Sequence, residues 1–134
     1  MTKKIKIVYV AGLITPRGVN SVHPAIDYLL NVRNLIRASL DVFMAGFTPF
    51  CPALDFLFFL QLEKGEYITE AMIKRFSKDF LSVSDALVLT PKWRKSPGTL
   101  AEIELAKKLE IPVFDTLDDL EDYVEKEEKN DGRD

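Results

Sequence analysis

The sequence predicts a single-domain, doubly wound α/β fold of the Rossmann or flavodoxin-like kind, a parallel sheet with helices on both faces. Three observations predict it. Short apolar runs recur at I-K-I-V-Y-V-A (5–11), D-A-L-V-L-T (85–90) and I-P-V-F (111–114). Segments with helical apolar spacing separate them. The D-A-L-V-L-T run is continuous rather than alternating, as a strand covered on both faces should be.

The elements follow in order. The β-branched run 5–11 ends in Gly12 and reads as a buried first strand. Residues 12–24 form a loop rich in glycine and proline, long for a strand-to-helix connection, and such loops often carry function. Ile26, Leu29, Leu30, Leu35, Ile36, Leu40 and Phe43 give residues 25–45 a helical period, and Gly46 ends it. F-T-P-F-C-P is a short second strand broken by prolines. Residues 53–68 give no clear signal beyond F-L-F-F-L at 56–60. Thr69 is an N-cap for a helix to about Val83, with Met72, Ile73, Phe76, Phe80 and Val83 apolar. After the 85–90 strand, Ser96 and Pro97 read as N-cap and first residue of a helix to about Leu109. A strand at 111–114 follows. Thr116, Asp118 and Asp119 open a last helix, acidic where the dipole prefers it. The domain is expected to span 1–124, with E-K-E-E-K-N-D-G-R-D (125–134) a solvated, frayed tail.

Composition excludes several classes. At 134 residues, 47% hydrophobic and 29% charged, the chain makes one globular domain. A net charge of −3 offers no basic excess for a nucleic-acid backbone, so no nucleic-acid partner is expected. Cys51 is the one cysteine, which leaves no internal disulfide and fits a reducing, cytoplasmic compartment. It reads as a small buried residue. His23 is the one histidine, so neither a multi-histidine metal site nor a metal cofactor is expected; His23 itself reads as a loop residue. Neither the N-terminal run nor F-L-F-F-L is long enough to span a membrane.

In a doubly wound sheet, ligands bind at the carboxyl ends of the strands where the strand order reverses. That selects the loops 12–24, 50–56 and 90–98. The helix that follows the last of these begins S-P-G-T-L-A-E-I-E-L (96–105). On a wheel at ~100° per residue, Glu102 falls between Leu105, Ala106 and Leu109 on the apolar stripe. Glu104 falls instead on the face of Lys107 and Lys108, an ordinary exposed ion pair. Glu102 either reaches solvent at the edge of the stripe or points into the crevice. There, burial raises its pKa or donors hold it charged. Gly98 removes a side chain at the helix start, where N–H groups and the dipole favour an anion such as phosphate. Ser96 caps the helix and can donate to that anion.

These residues resemble the nucleoside 2-deoxyribosyltransferase-like superfamily, which includes deoxyribosyltransferases and deoxynucleoside monophosphate N-glycosidases. The likeness runs from about residue 5 to 115. It rests on I-V-Y-V-A-G (7–12), S-D-A-L-V-L-T-P-K-W-R-K-S-P-G-T-L-A-E (84–102) and A-K-K-L-E-I-P-V-F (106–114). The resemblance implies cleavage or transfer of the N-glycosidic bond of a (deoxy)nucleoside or its monophosphate through a covalent glycosyl ester on Glu102. It implies that Tyr9 orients the nucleophile or sugar, that Gly12 lets the ligand approach, and that Ser96 and Gly98 contact a phosphate. It also implies an aspartate near the base. Asp79 is the candidate, while Ser77 falls on the family's position for it. Leu13 and Thr15 depart from the serine and arginine of the monophosphate-cleaving members, and Arg17 is the nearest replacement for that arginine.

Other residues read two ways. Asp55 reaches a ribose or base, or caps a turn. Trp93 stacks on a base, or covers the sheet edge. F-L-F-F-L exceeds what one small core needs, and with the family's habit of assembling it implies a homodimer or larger oligomer through residues 54–65. G-T-L-A-E also resembles the G-T-x-x-E of lysine-decarboxylase-like phosphoribohydrolases, which carry a fuller P-G-G before it. The alternatives to an enzyme are a non-catalytic nucleotide-binding or regulatory module on the same fold, and an interaction subunit driven by F-L-F-F-L.

Overall fold

A computed structural model of the chain describes residues 4–14 and 23–130. Its elements run β1 (Ile7–Ala11), α1 (Pro24–Met44), β2 (Thr48–Phe50), α2 (Leu54–Phe59), α3 (Glu70–Ser82), β3 (Ala86–Leu89), a 3-10 turn (Trp93–Lys95), α4 (Pro97–Lys108), β4 (Val113–Phe114) and α5 (Leu117–Asn130). The four strands form one parallel sheet in the order β2-β1-β3-β4. The class is the α/β arrangement predicted from the sequence.

The pleat of β1 sorts the core into two layers. Val8 and Val10 point to one face, against Leu35 and Val42 of α1 and Leu120 of α5. Tyr9 and Ala11 point to the other, against Leu81 of α3 and Ile103 and Ala106 of α4. Successive strands are in register, with Tyr9 beside Phe50 on one side and Leu87 on the other. At the amino edge, the Asp85 carboxylate accepts the N–H groups of Lys6 and Ile7 at 2.8 and 2.9 Å, tying the start of β3 to β1. The chain leaves β1 toward one edge of the sheet and β3 toward the other. The crevice of this fold therefore opens above the carboxyl ends of β1 and β3, where Gly12 and Thr90 stand.

Local signals set most boundaries. Thr69 accepts the Met72 N–H at 3.1 Å and starts α3. Ser96 starts α4, with Pro97 at its first position. Gly46 sits at φ +100 after α1, a conformation glycine adopts freely. Glu104 pairs with Lys107 at 3.7 Å on the exposed face of α4, as its wheel position requires.

Four features differ from the sequence reading. The apolar period of α1 does not mark its core face: the buried residues are Val32, Leu35, Ser39 and Val42, and Leu35 alone belongs to both sets. Residues 54–59 form the short helix α2. A 3-10 turn interrupts the loop after β3, entered through Lys92 at φ 69. The expected frayed tail is helical to Asn130. Its Glu and Lys residues are good helix formers, and Glu125 pairs with Lys129 at 3.4 Å one turn on.

Candidate functional site

Glu102 lies in the second turn of α4, three residues after buried Thr99 and next to buried Ile103. That register turns its carboxyl toward the sheet, beneath which Tyr9 rises from β1. Tyr9 is fully buried. Its hydroxyl and Glu102 Oε2 are both enclosed, and among the described residues neither closes a hydrogen bond of full geometry. They are nonetheless close enough to govern each other's ionisation. Burial pushes Glu102 up to about 7, and the Tyr9 hydroxyl offsets part of that rise. Burial holds Tyr9 protonated far above the usual phenol range, and the negative charge of Glu102 reinforces this. Of the two sequence alternatives, Glu102 is thus the buried carboxylate with raised pKa, accompanied by one neutral donor.

Ser77 of α3 is near enough to the Tyr9 hydroxyl to lower its pKa without closing a hydrogen bond of full geometry, and Asp55 of α2 acts on it electrostatically. Asp55 also faces Tyr28 in the first turn of α1, whose phenol is raised first by burial and then by that carboxylate. Tyr9, Ser77, Asp55, Tyr28 and Glu102 therefore form one constellation drawn from α1, α2, α3, α4 and β1. An aromatic wall closes its floor: Phe50 packs on Tyr9 at 5.3 Å and stacks on Phe80 at 4.0 Å, and Phe76 meets Phe50 and Phe80 at 5.8 and 5.1 Å.

Asp79 is not part of it. It is exposed, because it precedes buried Leu81 by two residues and so lies ~200° around the helix from the sheet-facing side. Ser77, four residues before Leu81, occupies that side. Asp55 is the aspartate whose charge acts on Tyr9, the weakest of the influences on it.

Gly12 has a packing role. A side chain there would run into the Thr90 hydroxyl, and its Cβ would stand 3.0 Å from Thr90 Cβ and 3.4 Å from Leu35 Cδ2. The space it leaves is filled by the neighbouring strand rather than kept open for a ligand.

The start of α4 is a thinner anion site than the sequence suggests. Ser96 is buried and its Oγ accepts both the Thr99 N–H at 3.1 Å and the Thr99 hydroxyl at 2.9 Å. The Leu100 N–H goes to the Ser96 carbonyl at 3.0 Å, and Pro97 has none. That leaves the Gly98 N–H, and a Cβ at Gly98 would meet only Ser96 Oγ at 3.9 Å. Packing therefore does not require glycine at this position.

Trp93 is half-buried against the α3–α4 layer, and the Arg94 guanidinium covers its ring at 4.4 Å. One face of the indole is therefore already occupied. Trp93, Arg94, Lys92, Thr90, Asp115 and Thr116 line a cavity of about 390 Å³ at the carboxyl ends of β3 and β4. Glu102 does not line it, so this cavity and the Tyr9–Glu102 constellation are separate features. Cys51 is half-buried beside the α1 layer. His23 is the exposed residue before α1 and makes no capping bond. Thr15 and Arg17 lie outside the described residues. Among the described residues no helix is long and apolar enough to cross a membrane, and no group of three or more His, Cys, Asp or Glu is placed to hold a metal.

The sequence pattern alone did not find Tyr28. It sits in α1 without apolar periodicity to mark it, and only the folded chain brings it within the electrostatic influence of Asp55. Comparison with known proteins gave no matching family model, no matching curated protein and no matching solved structure.

The raised Glu102 pKa makes a stability prediction. Below pH 4.5 the carboxyl is protonated both folded and unfolded, and its pKa shift costs the fold nothing. As pH rises from 4.5 toward about 7 the unfolded carboxyl ionises while the buried one keeps its proton, a loss of stability on the order of 3 kcal/mol that is complete above that pH. Glu102→Gln removes that cost. Urea unfolding at pH 8 is expected to show the variant more stable by up to ~3 kcal/mol, with no such gain at pH 4.5. An equal difference at both pH values would contradict a buried, titrating Glu102.

Proposed function

We propose that this chain cleaves or transfers the N-glycosidic bond of a (deoxy)nucleoside or its monophosphate, with Glu102 as nucleophile. The observation that carries the reading is the buried Glu102 carboxyl facing a buried, neutral Tyr9 in the middle of the central strand β1. A carboxylate that is costly to keep charged is well suited to form a neutral ester. In the proposed step a Glu102 oxygen bonds the anomeric carbon. The bond to the base breaks, and its electron pair leaves with the base nitrogen, which takes a proton from an acid. Water or a second base then displaces the ester and returns Glu102 as carboxylate. Tyr9 donates to the oxygen of Glu102 that does not attack. Asp55 is the nearest candidate for the acid or for a hydroxyl contact on the sugar. The Gly98 N–H and Ser96 form the place for a 5′-phosphate.

The chemistry needs no cofactor. The net charge of −3 gives a nucleic acid no attraction, and a small molecule is the partner of this site. One free thiol suits the cytoplasm.

The test is base release. Deoxy- and ribonucleosides and their monophosphates, with and without a second base, are incubated with the protein and the products separated by chromatography. Release of free base supports the reading, and the added base distinguishes exchange from hydrolysis. No release from any substrate, with saturable nucleotide binding that survives Glu102→Gln, would make the chain a binding module.

Two refinements follow from the ionisation. The nucleophile must be charged, so kcat/KM is expected to rise about tenfold from pH 6 to pH 8 through Glu102. Tyr9→Phe removes the group that lowers the Glu102 pKa. The midpoint of that profile should move up, with a loss of roughly tenfold or more at pH 7. A midpoint unchanged in Tyr9→Phe would separate the phenol from the nucleophile.

A further inference from the structure

The outer side of α1 carries an apolar stripe that the sheet does not use. Ile26, Leu29, Ile36, Leu40 and Phe43 are 44–61% exposed. With Arg33 they repeat at alternating spacings of three and four, the a/d seam of a coiled coil over nearly three heptads. The seam lies roughly 120° around the helix from the buried side formed by Val32, Leu35, Ser39 and Val42. Because that side is already fixed on the sheet, α1 cannot turn the seam inward. A second exposed apolar group lies at 54–62, where Leu54, Leu57, Phe58, Phe59, Leu60 and Leu62 are 37–65% exposed, but it lacks the alternating spacing of three and four. That group centres on the six-residue α2, with Leu60 as its C-cap, and Phe58 there meets the ring of Phe76 at 5.8 Å.

We infer that α1 is the interface of a homodimer, packed antiparallel against α1 of a second copy about a two-fold axis near residues 34 and 35. This does not rest on the glycosidic reading of the site, and it moves the expected interface from residues 54–65 to α1. The seam is self-complementary in that direction. Ile26 meets Phe43 of the second copy, Leu29 meets Leu40, and Arg33 meets Ile36. A parallel pairing would set Arg33 against Arg33 in one layer, whereas the antiparallel pairing lays its aliphatic stem along Ile36 and frees its head toward water. Leu30 and Met44, 46% and 75% exposed, flank the stripe and widen the apolar surface it offers to a second copy. Its charges argue against a bilayer as occupant. Asp27, Arg33, Arg37 and Asp41 cancel, and Arg37 is paired with Asp41 at 3.1 Å; a helix that lies on an anionic membrane carries a basic excess.

Sedimentation equilibrium of the full chain tests this. The expected mass is twice 15.3 kDa. Ile36→Glu with Leu40→Glu should give a monomer of unchanged circular dichroism, since both side chains are exposed. The milder Phe43→Ser should weaken the dimer at least tenfold, and Leu57→Glu should leave it intact. In a Cys51→Ser background, Leu29→Cys chains mixed with Leu40→Cys chains should form an inter-chain disulfide that neither forms alone. A monomer at ~100 µM, above the micromolar range of weak interfaces, would overturn the proposal. So would a dimer that survives the paired glutamates, a disulfide formed by either cysteine variant alone, or a monomer that sediments with phosphatidylcholine–phosphatidylglycerol vesicles.

Discussion

Glu102→Ala is expected to reduce base release by about a thousandfold or more, on the order of 4 kcal/mol of transition-state stabilisation. The size follows from what is removed. The variant loses the atom that bonds the anomeric carbon and the charge that steadies an oxocarbenium-like state. Glu104, the nearest carboxylate along the chain, lies on the exposed face paired with Lys107 and does not replace it. The fold should not suffer, because removing a carboxyl that is costly to ionise relieves the protein at pH 8. Loss of activity with equal or greater stability is therefore the expected joint result, the usual exchange between a strained site and stability. Loss of activity with lower stability would make Glu102 a structural residue.

Gly12→Ala is expected to destabilise the chain by about 1–3 kcal/mol through overpacking. The added methyl meets the hydroxyl and Cβ of Thr90 and approaches Leu35. Neither neighbour has room. Thr90 is buried and its N–H is bonded to the Ala11 carbonyl at 2.9 Å, so β3 cannot slide away from β1. Leu35 is held in the α1 layer. Thr90→Ala makes the space. The double variant Gly12→Ala, Thr90→Ala should lose less stability in urea than the two single losses added together. Strict additivity would place the cost of Gly12→Ala elsewhere than on Thr90.

The layered plan was legible because it follows from short-range chemistry. Ser96–Pro97 and Thr69 cap the helices they were expected to cap, and continuous apolar runs became β1 and β3. Glu102 was legible only as a choice: its place on the apolar stripe left both the solvent edge and the crevice open, and its burial beside Tyr9 decided between them. What was not legible depends on distant packing. In α1 two apolar stripes share one helix, and periodicity alone does not say which the sheet takes. Asp79 and Ser77 sit two residues apart, and the choice between them turned on which side Leu81 occupies. Gly12 carries no mark in the sequence of its contact with Thr90, 78 positions away. Tyr28 and Asp55 are 27 positions apart, and only the folded chain brings one under the charge of the other.

The covalent ester on Glu102 is the central claim, and one measurement addresses it directly. The protein is mixed in excess with the substrate found to release base, quenched in acid within a single turnover, digested, and its peptides weighed. The expected result is a glycosyl mass added to the peptide that contains Glu102, absent when substrate is omitted and absent from Glu102→Gln. An adduct on Asp55 instead, or base release at full rate by Glu102→Gln, would contradict the account.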